Sequence, residues 1–553
     1  MSQKSRFNKN SFVVQGSILA IAGILVRVIG LIYRIPLTRI LGDEGNGYYS
    51  TAFDIYNVLL LLSSQSMPLA VSKIVSEKLQ KKEYKNASRV FKGSLIFALI
   101  LGVIVGLFAY LGSDWLAATV YKSAPSAYAL KVLAPTLTVA CVLGVMRGYF
   151  QGMGNMVPTA ISQIFEQIVN AVISVFAAFE LGVYGMSIYK SLHMTESTAK
   201  ASFGAMGGTM GTLSGAIAAL IVMAIILWRK YGDISAQIKT DITNGVEKYS
   251  KVTKVLVFTI LPVLISTTIY NISNLLDNPI FQNIMHKYFN MSTEARAMDW
   301  GIYSAKFRLL TTMPIAISAA LSTAMVPSLV RSYVAKDKEQ LKHKLDQAFK
   351  FSMLVAFPCG VGLSVLGSPI NKLLFGTTSN EILIMMTFSI LTVVVFSLST
   401  LSNAMLQGID HLSIPIKNSA ISLGIHLVLL PILLLVFKLG IYGVVIGDIT
   451  FAALVCVLNA FSIKKYAEYK HDLKAIFVRP FISAAVMGVF AYASYWVLSR
   501  FANNAVSTLV AIVIAAIVYV ILLIKTKGIS EEEILDLPKG AMLVRLLKKF
   551  KLL

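Results

Sequence analysis

Fourteen long apolar runs, separated by short polar segments, constrain this chain more than any other feature. Each run is long enough to cross about 30 Å of hydrocarbon as an α-helix. Of the 553 residues, 56% are hydrophobic and 14% are charged, whereas soluble domains carry about 25% charged residues. The sequence predicts an all-α polytopic membrane protein with about 14 transmembrane helices. The predicted spans are 13–37, 48–71, 93–113, 127–150, 158–181, 203–228, 252–276, 298–330, 347–370, 380–407, 412–437, 440–463, 475–498 and 503–525.

Basic residues concentrate in alternate loops, and this pattern predicts the orientation of the chain. Cytoplasmic loops of membrane proteins carry the excess of lysine and arginine. The basic segments would all lie on the cytoplasmic side, together with both termini. The net charge of +23 is spread through these loops, so nucleic acid is not a predicted partner. The basic segments are Lys73–Lys92, Arg229–Lys254, Arg331–Lys350 and Lys464–Arg479.

The chain repeats itself at an offset of 258 or 259 residues. The motif FKGSL from Phe91 matches FKFSM from Phe349, and LGVYG from Leu181 matches LGIYG from Leu439. The repeat unit contains six spans, so two lobes of the same orientation are expected, with the substrate path between them. The predicted divisions are an N-lobe at 1–230, a cytoplasmic linker at 231–251, a C-lobe at 252–463, two further helices at 464–525 and a tail at 526–553.

The tail and the cysteines carry smaller predictions. The sequence AMLVRLLKKFKLL is typical of a basic amphipathic helix on an anionic inner leaflet, although a disordered tail is the alternative. Ser530 and Glu533 are spaced for a capping box just before it. Cys141, Cys359 and Cys456 lie in apolar runs and are interpreted as small buried hydrophobes, so no disulfide is predicted.

Charged residues inside the apolar runs are the candidate binding residues. Arg27 and Arg34 are seven residues apart and share one helix face, and such charges cost several kcal/mol unless they are paired or face water. Lys306, Arg308 and Asp54 lie at a depth similar to Arg34, so a central cavity lined by them is expected. Arginine forks bind diphosphate oxygens bidentately. A structural ion pair between Arg34 and Asp54 is the alternative for Asp54.

Polar stripes on two other spans are candidates for a coupling role. The fifth span carries Gln163, Glu166 and Asn170 at helical spacing. Glu166 is either a functional carboxylate or a partner in a hydrogen bond between helices, and the structural interpretation is favoured for the two amides. The seventh span carries Asn271 and Asn274 on one face. The six histidines form no cluster with metal-ligand spacing, so no metal or other cofactor is predicted.

Two stretches resemble a known transporter superfamily. The first, RVIGLIYRIPLTRILG at Arg27–Gly42, has the arginine and glycine rhythm of the multidrug/oligosaccharidyl-lipid/polysaccharide (MOP) flippases. The second, YSAKFRLLTTMPIAISAALSTAMVPSL at Tyr303–Leu329, is similar to their eighth helix, with Arg308 where they have a substrate-facing arginine. The chain looks most similar to the MurJ-type lipid II flippases and the stage V sporulation protein B group. Their next cavity arginine would fall at Tyr33, so Arg34 is displaced by one position.

The resemblance implies a function. It implies that a monomer in the bacterial cytoplasmic membrane exports an undecaprenyl-pyrophosphate-linked saccharide, most specifically lipid II, by alternating access. Membrane potential, Na⁺ or H⁺ would supply the driving force. The alternatives are a flippase for a teichoic, capsular or spore-related precursor, a cation-coupled drug antiporter of the same superfamily, and an integral membrane glycosyltransferase. An enzyme would need paired carboxylates on an extended outer loop, and no such pair is evident, so a transporter is predicted.

Overall fold

The chain divides into two compact units, Met1–Gly301 and Ile302–Leu553. A computed structural model describes residues 3–241, 243, 245–409, 411, 413–469, 474–535 and 540–549, all of whose regular elements are helices. The side chains of residues 3–14, 16, 17, 20, 262–274, 321–324, 327, 475, 532, 534, 540, 543, 546 and 547 lie outside this description. The unit boundary reflects packing, whereas the predicted lobes reflect a sequence repeat, so the lobe boundaries stay predictions.

The first unit consists of long helices with one short π-helical turn. Its elements are α1 (Gln3–Ser63), α2 (Met67–Gln80), α3 (Tyr84–Leu111), α4 (Ser113–Trp115), π1 (Leu116–Val120), α5 (Ser126–Gly152), α6 (Val157–Ile188), α7 (Glu196–Lys239), α8 (Tyr249–Phe289) and α9 (Thr293–Gly301).

The helix α1 contains the first predicted span and most of the second, and Gly42 bends it between them. Gly42 has φ 64° and ψ −177°, a conformation that a side chain would strain. Asn46 stabilises the bend because its Nδ2 donates to the carbonyls of Thr38 (2.9 Å) and Gly42 (2.6 Å). The second span was expected to continue to residue 71, but α1 ends at Ser63 and α2 begins at Met67. Pro68, in the first turn of α2, is compatible with a new helix start but not with a helix interior.

A stripe of glycines at every fourth residue of α7 lets α6 and α7 approach closely. A Cβ atom at Gly207 would lie 2.1 Å from the carbonyl oxygen of Ala177, and one at Gly215 would lie 2.5 Å from that of Glu166. Only glycine fits this contact, which fixes the position of α6 against its neighbour.

The segment after α7 folds back onto the turn that joins α2 to α3. Asp241 Oδ2 accepts from the backbone N–H of Lys85 at 2.5 Å, and Glu247 accepts from Lys78 Nζ at 3.0 Å. The backbone N–H of Glu247 also donates to Asn86 Oδ1 at 2.9 Å. These bonds join the segment before α8 to the turn between α2 and α3.

The second unit begins inside a continuous helical run. Its elements are π2 (Ile302–Phe307), α10 (Arg308–Val334), α11 (Lys338–Phe375), α12 (Asn380–Thr387), α13 (Ser389–Gly408), α14 (Ser413–Leu435), α15 (Ile441–Ala467), π3 (Lys474–Val478), α16 (Arg479–Leu498), α17 (Asn504–Lys525), α18 (Glu531–Leu535) and α19 (Gly540–Lys549).

The length and hydropathy of its helices identify the chain as a multi-pass membrane protein. Among the described residues, eleven segments are long and apolar enough to cross a membrane, and one of them, Ile21–Gln80, contains most of the first predicted span and all of the second. The count of 14 stays a prediction, as does the side on which each terminus lies.

Two local predictions are confirmed. Glu533 Oε2 accepts from the backbone N–H of Ser530 at 2.8 Å, while Ser530 Oγ accepts from the backbone N–H of Glu533 at 3.2 Å, which is a capping box at α18. The cysteines Cys141, Cys359 and Cys456 form no disulfide.

Candidate functional site

The two arginines of α1 have different surroundings. Arg27 is exposed, and Arg34 is half-buried. The guanidinium of Arg34 lies over the rings of Tyr49 and Phe53, at 5.2 Å and 6.0 Å from their centroids. Tyr49 and Phe53 are one turn apart on the returning part of α1, beyond the bend at Gly42. Aromatic faces stabilise the cation and fix its plane, while the N–H groups at its edge can still donate to an anion.

Asp54 follows Phe53 directly on α1 and bonds to the α8 residue Asn278. Asn278 Nδ2 donates to Asp54 Oδ2 at 2.7 Å and to Thr51 Oγ1 at 3.1 Å. Asn278 is fully buried, so this amide joins α8 to α1. Of the other candidates on α8, Asn271 and Asn274 have side chains that lie outside the described residues.

The polar residues of α6 make two kinds of contact: Asn170 forms hydrogen bonds to neutral groups, and Glu166 forms an ion pair. Asn170 Nδ2 donates to Tyr33 Oη at 3.4 Å, and Ser174 Oγ donates to Asn170 Oδ1 at 2.8 Å, so Asn170 joins α6 to α1. Gln163 is half-buried on the same helix. Glu166 forms an ion pair with Arg147 on α5, with 2.6 Å between Glu166 Oε2 and Arg147 Nη2.

A cavity of about 210 Å³ lies beside this ion pair. Arg147 and Glu166 line it together with polar side chains from α5, α7 and the break between α1 and α2. The lining polar residues are Tyr56, Ser64, Gln65, Thr136, Arg147, Glu166 and Thr212. The cavity is small and its polar groups converge, which is the pattern of a site for a small polar group.

In the second unit, the buried charges lie on or next to π2. Lys306 is 3% exposed, and its Nζ donates to Thr377 Oγ1 at 3.1 Å. Tyr303 Oη donates to the carboxylate of Asp448 on α15. Arg308 is half-buried in the first turn of α10. A π-helical turn at membrane depth is uncommon and occurs mostly at functional sites.

Sequence reasoning did not find Arg147, Tyr303 or Asp448. Arg147 lies close to the end of its span and resembled a loop residue, whereas Asp448 is the single charge in the twelfth span. An intramembrane charge is a functional candidate wherever it occurs, so both signals were present in the sequence. His426 is a hydrogen-bonded core residue, as expected, with Nδ1 at 3.1 Å from the carbonyl oxygen of Gly447.

Comparison with known proteins extends these observations. A family model described as "Polysaccharide biosynthesis protein" matches residues 13–333, which is more than half of the chain, and the MatE model matches residues 301–432. Stage V sporulation protein B of Bacillus subtilis (strain 168) is 24% identical over 546 residues, covering 97% of this chain and 100% of the relative. Lipid II flippase MurJ of the same organism is 24% identical over 522 residues, covering 91% and 92%.

Two solved structures have the same fold as this chain. A lipid II flippase MurJ in an inward closed conformation superposes with a TM-score of 0.65 and 17% identity, covering 91% of this chain and 97% of that one. A multidrug resistance MATE family transporter of the MOP superfamily, in an inward-facing conformation, gives a TM-score of 0.62 and 16% identity, covering 80% and 94%. At these identities the likeness concerns the fold.

Proposed function

Because the chain belongs to the polysaccharide biosynthesis protein family, within the MOP superfamily of membrane transporters, we propose that it is a flippase for a lipid-linked saccharide. The proposed substrate is lipid II, the undecaprenyl-pyrophosphate-linked peptidoglycan precursor, moved from the inner to the outer leaflet by alternating access. Teichoic, capsular and spore-related precursors carry the same kind of anionic headgroup and are the alternatives within this class.

The observation that carries the proposal is the exposed guanidinium of Arg27 inside an apolar helix. A charge at membrane depth is retained where it meets a partner or water. A prenyl diphosphate supplies the anion, and its oxygens match the arginine fork. Arg34, held flat by Tyr49 and Phe53, and Arg308 in the second unit are proposed as further contacts to the diphosphate.

Lys306 and Asp54 are proposed to shape the substrate site around these arginines. Each has a neutral polar partner, Thr377 for Lys306 and Asn278 for Asp54, which holds the charged group in place. Tight binding in both conformations would trap the product, so the contacts to the headgroup must weaken when the protein opens outward.

Several features of the cellular setting belong to the same proposal. The protein would lie in the bacterial cytoplasmic membrane as a monomer, with both termini inside and the basic helix α19 on anionic inner-leaflet lipids. Membrane potential, Na⁺ or H⁺ would drive the cycle. A cation-coupled drug antiporter would require a carboxylate available for a cation, and the ion pair of Glu166 with Arg147 argues against this alternative.

The test is complementation of a bacterial strain depleted of its lipid II flippase. Wild-type protein should restore growth, and Arg27→Ala and Arg308→Ala should each fail at equal membrane abundance. Arg500→Ala is the matched control, because Arg500 is an exposed arginine stacked on Trp496 at 3.6 Å, outside the candidate site.

Native mass spectrometry of lipid retained by the purified protein identifies the substrate class independently. A prenyl diphosphate saccharide should be retained by wild-type protein and lost from both variants. Growth restored by Arg27→Ala and Arg308→Ala to the wild-type level would contradict the proposal.

A further inference from the structure

The ion pair between Arg147 and Glu166 takes no part in the proposed contacts of Arg27, Arg34 and Arg308 with the diphosphate. Arg147 Nη2 lies 2.6 Å from Glu166 Oε2, and Arg147 Nε donates to Ser162 Oγ at 3.0 Å. Side-chain exposure is 15% for Arg147 and 32% for Glu166. The guanidinium is therefore fixed on one side by Ser162, while the carboxylate keeps an open side through which it can move.

The cavity next to the pair has one buried hydroxyl group that lacks a partner among the described residues. Thr136 lines the cavity and is 1% exposed, and its Oγ1 has no hydrogen-bond partner among the described residues. A buried hydroxyl without a partner costs about 1–3 kcal/mol, so such a group usually marks a place where a ligand or water binds. Ser64, Thr212 and Tyr56 add three further hydroxyls to the same wall.

The helix break at residues 64–66 borders this cavity. α1 ends at Ser63, α2 begins at Met67, and Ser64 and Gln65 line the cavity. Non-helical backbone at membrane depth is tolerated where it is buried in protein or lines a polar cavity, and broken helices mark binding sites in transporters. The cavity therefore meets the N-terminal end of the 14-residue helix α2, whose dipole favours an anion.

The size and charge of the cavity decide which ligand fits. At about 210 Å³ it is smaller than typical ligand pockets of about 300–1,000 Å³, and its volume suits a phosphate-sized group. The arginine and the hydroxyl groups donate hydrogen bonds to an anion. A cation would have to displace Arg147 from Glu166 and would leave that guanidinium without an anionic partner.

We propose that Arg147 is a further binding residue for a phosphate oxyanion, and that Glu166 occupies its guanidinium when no substrate is present. The inference rests on the proposed function and names a further subsite for the same substrate. A phosphoryl oxygen of the lipid headgroup takes the place of the Glu166 carboxylate, and Thr136 donates to the same phosphoryl group. Glu166 then turns toward water, which its exposed fraction allows.

This exchange would tune the affinity of the flippase. Arg147 has a partner in both states, so no buried charge is stranded when the headgroup leaves. The carboxylate competes with the phosphate for one guanidinium, which lowers affinity and helps release. Removing the competitor should tighten binding and slow transport, whereas removing a merely structural ion pair should weaken both.

The experiment measures binding of undecaprenyl diphosphate to full-length protein in nanodiscs by native mass spectrometry. Glu166→Gln keeps the volume of the side chain and removes its charge, so binding should tighten about tenfold while transport slows. Arg147→Gln should weaken binding about tenfold, and Thr136→Val should weaken it by a smaller factor. Thr508→Val is the matched control, because Thr508 is also a buried threonine without a described partner, on α17, and binding should not change.

Inorganic pyrophosphate, titrated as a competitor, separates the headgroup from a free anion as the ligand. Competition confined to the millimolar range is expected if the prenyl chain contributes to binding, and competition at micromolar concentration would assign the subsite to a free anion instead.

Unchanged or weaker binding by Glu166→Gln would overturn the exchange. A second outcome would also overturn it: binding depends on sodium in the wild type, and Glu166→Gln abolishes that dependence without tightening binding in sodium-free buffer. That result would assign the Glu166 carboxylate to a cation. If wild-type protein binds no undecaprenyl diphosphate, that result contradicts the proposed function itself.

Discussion

Two charged sites, one in each unit, hold their charges in different ways. In the first unit, Arg147 and Glu166 neutralise each other at 2.6 Å. In the second, Lys306 donates to the hydroxyl of Thr377, and Asp448 accepts from the hydroxyl of Tyr303. A hydroxyl is a neutral partner that can be removed without stranding an opposite charge. The first arrangement is therefore suited to exchange of one anion for another, whereas in the second a hydroxyl group helps to fix each charge in position.

The largest expected effect comes from breaking the ion pair of the first unit. Arg147→Ala removes the guanidinium with its bonds to Glu166 and Ser162 and should lower the free energy of unfolding by about 3 kcal/mol, the low end for a buried pair, because Glu166 is partly exposed and can turn toward water. The double variant Arg147→Ala with Glu166→Ala should recover part of this loss. Thermal unfolding in detergent measures both values.

The exposed pair of Lys131 with Asp114, at 2.9 Å, provides the control for this comparison. Lys131→Ala should cost less than about 1 kcal/mol, because solvent screens exposed pairs. Equal losses of unfolding free energy for Lys131→Ala and Arg147→Ala would show that burial does not strengthen the pair of Arg147 with Glu166.

A smaller effect is expected from the hydroxyl of the second unit. Tyr303→Phe removes one donor to the buried carboxylate of Asp448 and should lower the free energy of unfolding by about 2 kcal/mol, as for hydrogen bonds to charged groups. Tyr519→Phe removes a hydroxyl that donates to the carbonyl oxygen of Leu354 at 3.0 Å, a neutral acceptor, and should cost about 1 kcal/mol. A loss for Tyr303→Phe below that for Tyr519→Phe would mean that Asp448 does not depend on this hydroxyl.

The sequence predicted the fold class better than the candidate site, for a physical reason. Apolar length and the glycine spacing of α7 are local properties, so the helices and the close α6–α7 contact followed from the sequence. The partner of Glu166 comes from α5, and the partner of Tyr303 lies 145 residues away on α15. Such pairings depend on tertiary packing. The break at residues 64–66 was missed although the sequence marks it, with four polar residues at Ser63–Ser66 followed by Pro68.

The smallest expected effect concerns two segments that are tied to other helices of their own unit by an ion pair, one after α7 in the first unit and the other α18 in the second. In the first unit, the segment after α7 is tied by Glu247 to Lys78, and in the second, α18 is tied by Glu533 to Lys350 at 2.7 Å. Burial opposes ionisation of Glu247, but its bonds with Lys78 and Lys251 outweigh burial and lower its pKa. The amide of Asn86 and the ammonium of Lys78 likewise lower the pKa of Glu83.

These lowered pKa values fix the pH range in which the first segment should loosen. A carboxyl group with a depressed pKa contributes stability above its unfolded pKa, about 4.3 for glutamate, and loses it as pH falls through the folded pKa. Hydrogen exchange at residues 240–249, corrected for intrinsic rates, should therefore be constant from pH 7.5 to 5.5 and should accelerate below about pH 4. Glu247→Gln should reduce this acid response while leaving exchange in α18 unchanged. Acceleration already between pH 7.5 and 5.5 would show that groups other than these carboxylates hold the segment, because their charged forms persist throughout that range.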